Sequence, residues 1–175
     1  FTCNGGLVYS EFGEANVIEP FDVPFDWQDT LSIDPGLNNP LSCHWYAQDF
    51  DGNVYVVAEH YEAKRDVVYH AAKIKEISRR LNWKTDKKGN IEALMDSAAL
   101  QRTLNGVKSV AELFCEQGIS VNASVDKSMY AGINRVKALL KSADGKTKLY
   151  VFNSCVNMIR EFKGYFWGGG DSPVK

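Results

Sequence analysis

Asp34 and Asp96 each close a short apolar run, LeuSerIleAsp over 31–34 and IleGluAlaLeuMetAsp over 91–96. Runs of that length, bounded by turn or capping residues, read as strands. A carboxylate at the end of a buried strand is costly unless its charge is compensated. Two of them side by side repel each other and invite a divalent cation. A pair of such ions about 3.5–4 Å apart makes a water nucleophilic and stabilises a leaving alkoxide, the chemistry of phosphodiester hydrolysis. Asp34 is expected to bridge the ions and Asp96 to bind one of them. Pro35 and Gly36 turn the backbone away and leave room for substrate. Taken singly, each aspartate reads better as an ordinary turn or cap residue. Their joint placement is what favours the metal.

Further candidates surround that pair. Glu59 ends a strand and is expected as a supporting group or a phosphate contact. Asp126 and Lys127 follow another strand, and Lys127 could touch a phosphate or balance the carboxylates. Asp171, in a Gly-rich tail, is a weaker metal candidate. Nine basic residues lie between Lys64 and Lys88, with Trp83 among them, a composition able to track a nucleic-acid backbone. The ordinary alternative is the solvated face of a helix. GlyLysThr at 145–147 is not a phosphate loop, because Leu140 stands where the first Gly is needed and the order of strand and helix is reversed.

The elements that must position these residues alternate in type. Strands are expected over 30–34, 42–50 and 54–61, with AspGlyAsn at 51–53 as a hairpin turn. A helix over 66–81 follows, with Val67, Ala71, Ile74 and Leu81 near one face. Then come a strand at 91–96, a helix over 107–117 stopped by Gly118, a strand over 119–124 and a helix over 127–142 striped by Met129, Ile133, Val136 and Leu140. A strand over 148–152 and a helix from a Ser154 cap to Phe162 complete the order. An antiparallel meander followed by alternating helices and strands makes an α/β mixed sheet with helices on both faces. That order resembles the ribonuclease H-like arrangement, in which the first and fourth strands are neighbours and would bring Asp34 and Asp96 together. Residues 1–29 read as a connector, 30–167 as the domain and 168–175 as a flexible tail. Both termini look cut from a longer polypeptide.

The 175 residues suit one domain with a substantial core. The net charge of −2 hides a lopsided distribution. Up to Ala63 there are eleven Asp and Glu and no Lys or Arg, whereas all twenty basic residues lie from Lys64 onward with the other eleven acids. Such asymmetry suits a polyanion meeting one face, unless folding mixes the halves. The four cysteines stand far apart, with no metal-ligand spacing to His44, His60 or His70, so reduced, buried thiols and a cytoplasmic setting are expected. No membrane span or signal peptide is apparent.

Several stretches resemble the nuclease domain of tailed-phage and prophage large terminase subunits. GlyLeuValTyrSerGluPhe (6–12) resembles the segment joining motor and nuclease parts. SerIleAspProGly (32–36) and AspGlyAsnValTyrValValAlaGluHisTyrGluAla (51–63) resemble the first three strands. MetAspSerAla (95–98) resembles the strand carrying the second acid. AlaSerValAspLysSerMetTyrAlaGlyIle (123–133) and GluPheLysGlyTyrPheTrp (161–167) resemble later segments. The resemblance implies an endonuclease that cuts concatemeric viral double-stranded DNA with Mg2+ or Mn2+, with its first two acids at Asp34 and Asp96. It implies a terminase motor domain in the same parent polypeptide, small terminase and portal proteins as partners, and the host cytoplasm as the setting. It further implies a third acid in a late AspHis-x-x-Asp-like stretch. The sequence through Lys175 holds no such stretch, so either the third acid lies outside it or Asp171, which matches the pattern poorly, stands in. The alternatives are a Holliday-junction resolvase or transposase-like nuclease, and a non-catalytic DNA-binding or assembly module.

Overall fold

The computed structural model describes residues 6–36, 39–101, 108–124, 128–168 and 173–174. Asp126, Lys127 and Asp171 lie outside the described residues. The main sheet has seven strands: β1 (Val17–Ile18), β2 (Gln28–Asp34), β3 (Leu41–Gln48), β4 (Val54–Glu62), β5 (Ile91–Met95), β6 (Ile119–Asn122) and β7 (Leu149–Phe152). Four helices accompany them: α1 (Val67–Arg80), α2 (Val110–Glu116), α3 (Met129–Leu140) and α4 (Val156–Gly164). The spatial order is β1-β7-β4-β3-β2-β5-β6. β3 is antiparallel to both β2 and β4, and the other pairs in this sheet are parallel. This is the mixed ribonuclease H-like sheet expected from the sequence, with β2 beside β5.

Strict alternation along β3 explains which face is core. Leu41, Cys43, Trp45 and Ala47 are buried, while the residues between them are partly exposed. The buried face packs on α1, whose inward residues are His70, Ala71, Ile74 and Ser78. Trp45 Nε1 donates to Ser78 Oγ at 2.9 Å, which satisfies the one polar atom of the largest core side chain. α2 continues this layer through Ala111 and Phe114. Cys115 is exposed rather than buried as expected, because the residue after Phe114 leaves the inward stripe. On the other face lie α3 and α4, where Val136, Leu139 and Met158 meet Tyr46 around a common cavity.

Side-chain caps set the helix boundaries more tightly than periodicity does. Asp66 accepts from the Tyr69 amide at 2.8 Å and starts α1. Ser109 and Glu112 form a reciprocal capping box, so α2 begins at Val110; the expected start at 107 lies outside the described residues. Gly118, at φ 81°, ends that helix as expected. Asn122 Oδ1 takes the Ser124 amide at 3.0 Å and stops β6 two residues early. Ile133 and Leu140 are buried in α3, but Met129 is 42% exposed, because it is the first helical residue and lies off the packed surface.

The N-terminal segment is not wholly irregular. Val17 and Ile18 add in parallel to β7, opposite Val151 and Phe152. Asn16, 1% exposed, donates from Nδ2 to the Leu149 carbonyl at 3.0 Å and accepts from the Gly13 amide at 2.9 Å. Farther along, Phe166–Trp167 (β8) pairs antiparallel with Pro173–Val174 (β9), and Leu7 bridges to Phe166.

One buried pair makes the fold sensitive to acid. His60 Nε2 and His70 Nδ1 are 2.8 Å apart between β4 and α1. Burial pushes the pKa of both below 6.5; the neighbouring ring and Lys73 reinforce this at His60, while Glu62 opposes it at both. At His70, Asp66 and a backbone hydrogen bond at Arg65 also oppose the shift. Because the unfolded chain takes up protons first, the stabilisation is complete above the ordinary histidine value and is lost as pH falls through the folded values. The thermal midpoint should therefore drop between about pH 7 and about pH 5, and the paired change His60→Phe, His70→Leu should flatten that slope. An identical slope in the double variant, followed by scanning calorimetry, would remove the pair as its cause.

Candidate active site at the carboxyl rim of the sheet

β2 and β5 run parallel with Ser32 opposite Leu94 and Ile33 opposite Met95. Continuing that register by one residue sets Asp34 beside Asp96. Adjacent strands stand about 4.8 Å apart, and in-register neighbours leave the pleat on one side, so the two carboxylates share a rim and a face. Both are exposed. They belong to the surface opposite the Ile33 and Met95 side chains, which are 2% exposed in the α1 layer.

Local chemistry holds each aspartate in place. Asp34 Oδ1 accepts from the Gly36 amide at 3.3 Å, an Asx-type turn. Gly36 has φ 53°, and a Cβ there would lie 2.5 Å from the Pro40 carbonyl oxygen, so the turn after Asp34 accepts glycine alone without distortion. Asp96 Oδ1 accepts from the Ala98 amide at 2.7 Å and caps the short 3-10 turn Ser97–Leu100. The turn and cap roles of these residues are thus real, and both side chains nonetheless remain exposed at the rim.

The donor set suits a hard divalent cation: two exposed carboxylates, one strand spacing apart, open to water. Among the described residues no group of three or more His, Cys, Asp or Glu side chains comes together to hold a metal. Glu59 does not complete the set. It lies in the row of Ser32 and His44, two strands from Asp34 and two residues down, about 12 Å away between Cα atoms. Its side chain is 7% exposed. Oε1 accepts from the Asn157 amide and from Asn157 Nδ2, both at 2.8 Å, and Oε2 accepts from the Met158 amide at 2.9 Å. Burial raises its pKa, but the facing His44 ring and the hydrogen bonds from Asn157 and Met158 outweigh that and hold it below the ordinary value. Glu59 is therefore an anchor for the start of α4, and its engaged, inward carboxylate does not fit a phosphate contact. It also replaces the expected Ser154 cap: Cys155 occupies the cap position and makes no side-chain cap bond.

A cavity of about 300 Å3 opens beside the Asp34 turn, with Gly36 and Asn39 on one wall and Lys64 and Arg65 on the other. Lys64 adopts φ 61°, an uncommon left-handed conformation for a residue with a side chain. Of the basic segment 64–88, these two cations come nearest the rim, although Arg65 Nε is bonded to Glu62 Oε1 at 2.9 Å. Lys73 pairs with Glu76. Arg79 and Arg80 lie at the far end of α1, so the run does not act as one patch.

A family model described as the terminase RNaseH-like domain matches residues 31–172. No curated protein sequence matches the chain. Among solved structures, the P22 large terminase nuclease domain superimposes with a TM-score of 0.78 at 19% identity, over 97% of this chain and 84% of that one. A large terminase from a thermophilic bacteriophage gives 0.72 at 21% identity; 99% of this chain covers 42% of it. The large terminase nuclease of the thermophilic phage G20c gives 0.58 at 14% identity, over 95% of this chain and 86% of that one. At these identities the superpositions speak for the fold.

Replacing Glu59 by Gln should cost about 1–3 kcal/mol, because the α4 amides lose a charged acceptor. Urea denaturation checks this, and a variant as stable as the parent would show that the carboxylate does not anchor the helix.

Proposed function

The chain belongs to the terminase RNaseH-like domain family, and on that premise we propose that it is a metal-dependent endonuclease hydrolysing DNA phosphodiester bonds. The observation that supports this reading is the parallel pairing of β2 with β5, in which Ile33 stands opposite Met95, each one residue before an exposed aspartate. Asp34 and Asp96 would hold the Mg2+ or Mn2+. Bound there, the cations supply an activated water and neutralise charge on the leaving oxygen. The chain's own residues fix the geometry: the Gly36 turn holds one Asp34 oxygen, and the Ala98 amide holds one Asp96 oxygen. A third carboxylate is required to complete the ligand set, and Asp171 is the candidate. Lys127 would contact a phosphate or offset the acids.

The substrate of this reading is double-stranded viral DNA, cut from concatemers during genome packaging in the host cytoplasm. The longer thermophilic-phage terminase, of which this chain spans 42%, has been solved with ADP and with ATP-gamma-S. A motor domain in the same parent polypeptide would supply ATP hydrolysis here too, with small terminase and portal proteins as further partners. Among the described residues no helix is long and apolar enough to cross a membrane.

Asp34→Asn and Asp96→Asn should each lower manganese-dependent nicking of supercoiled plasmid by at least about 100-fold while the circular dichroism spectrum is retained. Cleavage at the parental rate by both variants would defeat the assignment. Salt-dependent DNA binding without any heat on manganese titration would point instead to a non-catalytic DNA-binding module, and preference for four-way junctions to a resolvase.

A further inference from the structure

Behind Asp34 a line of polar side chains crosses the outer face of the sheet. Ser42 stands directly opposite Asp34 across the β2–β3 pair, and His44 opposite Ser32. On its other side His44 faces Glu59 of β4. Being two apart on one strand, Ser42 and His44 share a face. Ser42 Oγ and His44 Nδ1 are 3.4 Å apart, and His44 Nε2 lies 3.8 Å from Glu59 Oε2. The His44 side chain is 12% exposed, and its Nε2 is buried with no hydrogen-bond partner among the described residues. Glu59 itself cannot swing away, because three donors at the start of α4 hold both its oxygens.

We propose that His44 is a positioning residue for the Asp34 site, its tautomer set by Glu59 and its Nδ1 used to orient the Ser42 hydroxyl. The inference rests on the nuclease reading. A ring nitrogen aimed at a carboxylate in a buried place must carry the hydrogen, since two facing lone pairs would repel. In its neutral form His44 then carries its hydrogen on Nε2 and leaves Nδ1 as an acceptor. Ser42 donates its hydroxyl hydrogen to Nδ1 and turns its lone pairs outward, along the row where Asp34 stands. The opposite tautomer would reverse this. Nδ1–H would donate to Ser42, and the hydroxyl hydrogen would swing toward Asp34 and compete with a cation for its oxygens. The Glu59–His44–Ser42 line thus keeps Asp34 available as a ligand and places a second oxygen acceptor beside it for cation-bound water. Outer groups of this kind commonly set metal affinity within a factor of about 10–100.

The test starts from the metal-free protein. Two-bond nitrogen–proton correlation spectra should report the Nε2–H tautomer for His44 in the parent and a tautomer mixture in Glu59→Ala. Manganese titration by calorimetry should then show binding weakened about tenfold in His44→Leu and in Ser42→Ala, with partial recovery in His44→Asn, whose amide oxygen replaces the Nδ1 acceptor. Should His44→Leu fail to fold, Ser42→Ala and the tautomer decide. An Nδ1–H tautomer in the parent, or parental manganese affinity in Ser42→Ala, overturns the inference. Asp34→Asn serves as the control: parental affinity there would overturn the nuclease reading itself.

Discussion

Parallel pairing of β2 with β5 is the constraint from which the rest follows. Only two register pairs link these strands, yet they decide that two aspartates 62 positions apart in sequence finish side by side. A one-residue slip would send Asp34 and Asp96 to opposite faces, since side chains alternate along a strand. The register is held by burial. Ile33 and Met95 both face the α1 layer, and either would be driven into water by a slip. The core that stabilises the domain and the rim proposed to carry the chemistry are therefore alternate residues of the same strands.

The polar face follows a different rule from the apolar one. Beneath α1 and α2 nearly every side chain is hydrocarbon, with Trp45–Ser78 and His60–His70 as paired exceptions. On the outer face Ser32, His44 and Glu59 form one row, and Ser42 stands in the next, beside Asp34. Burying such groups is tolerable only where each has a partner. Glu59 is met by α4 and His44 Nδ1 by Ser42, whereas His44 Nε2 faces the Glu59 carboxylate at 3.8 Å without a hydrogen bond. The polar strip leads toward Asp34, so the surface that binds α4 and the surface that ends at the acids are continuous.

Much of this is legible in the sequence, for identifiable reasons. β3 follows from alternation, and its pairing with β4 from the AspGlyAsn turn, both local signals. α1 follows from its stripe, and the end of α2 from Gly118. What escapes a reading of the sequence is non-local. The strand Val17–Ile18 is too short to show a period, and it exists because Asn16 finds the Leu149 carbonyl far along the chain. The anchoring role of Glu59 depends on α4, about a hundred residues later, and no spacing rule reports it. Ser154 looks like a cap because capping preferences are local, whereas the cap that forms comes from another strand. The pairing of Asp34 with Asp96 emerges from element order rather than from either residue, each of which has an ordinary turn chemistry of its own.

The short β1 has a consequence for how the domain behaves in company. Without it, β7 would be an open flank of the sheet, its amides and carbonyls bare and ready to template a strand from another molecule. Two residues, fixed by the buried Asn16, are enough to occupy that flank and too few to offer a new one of useful length. β6, on the far flank, is cut to four residues by the Asn122 turn. The sheet is blunt at both sides, a form that resists edge-to-edge pairing between copies.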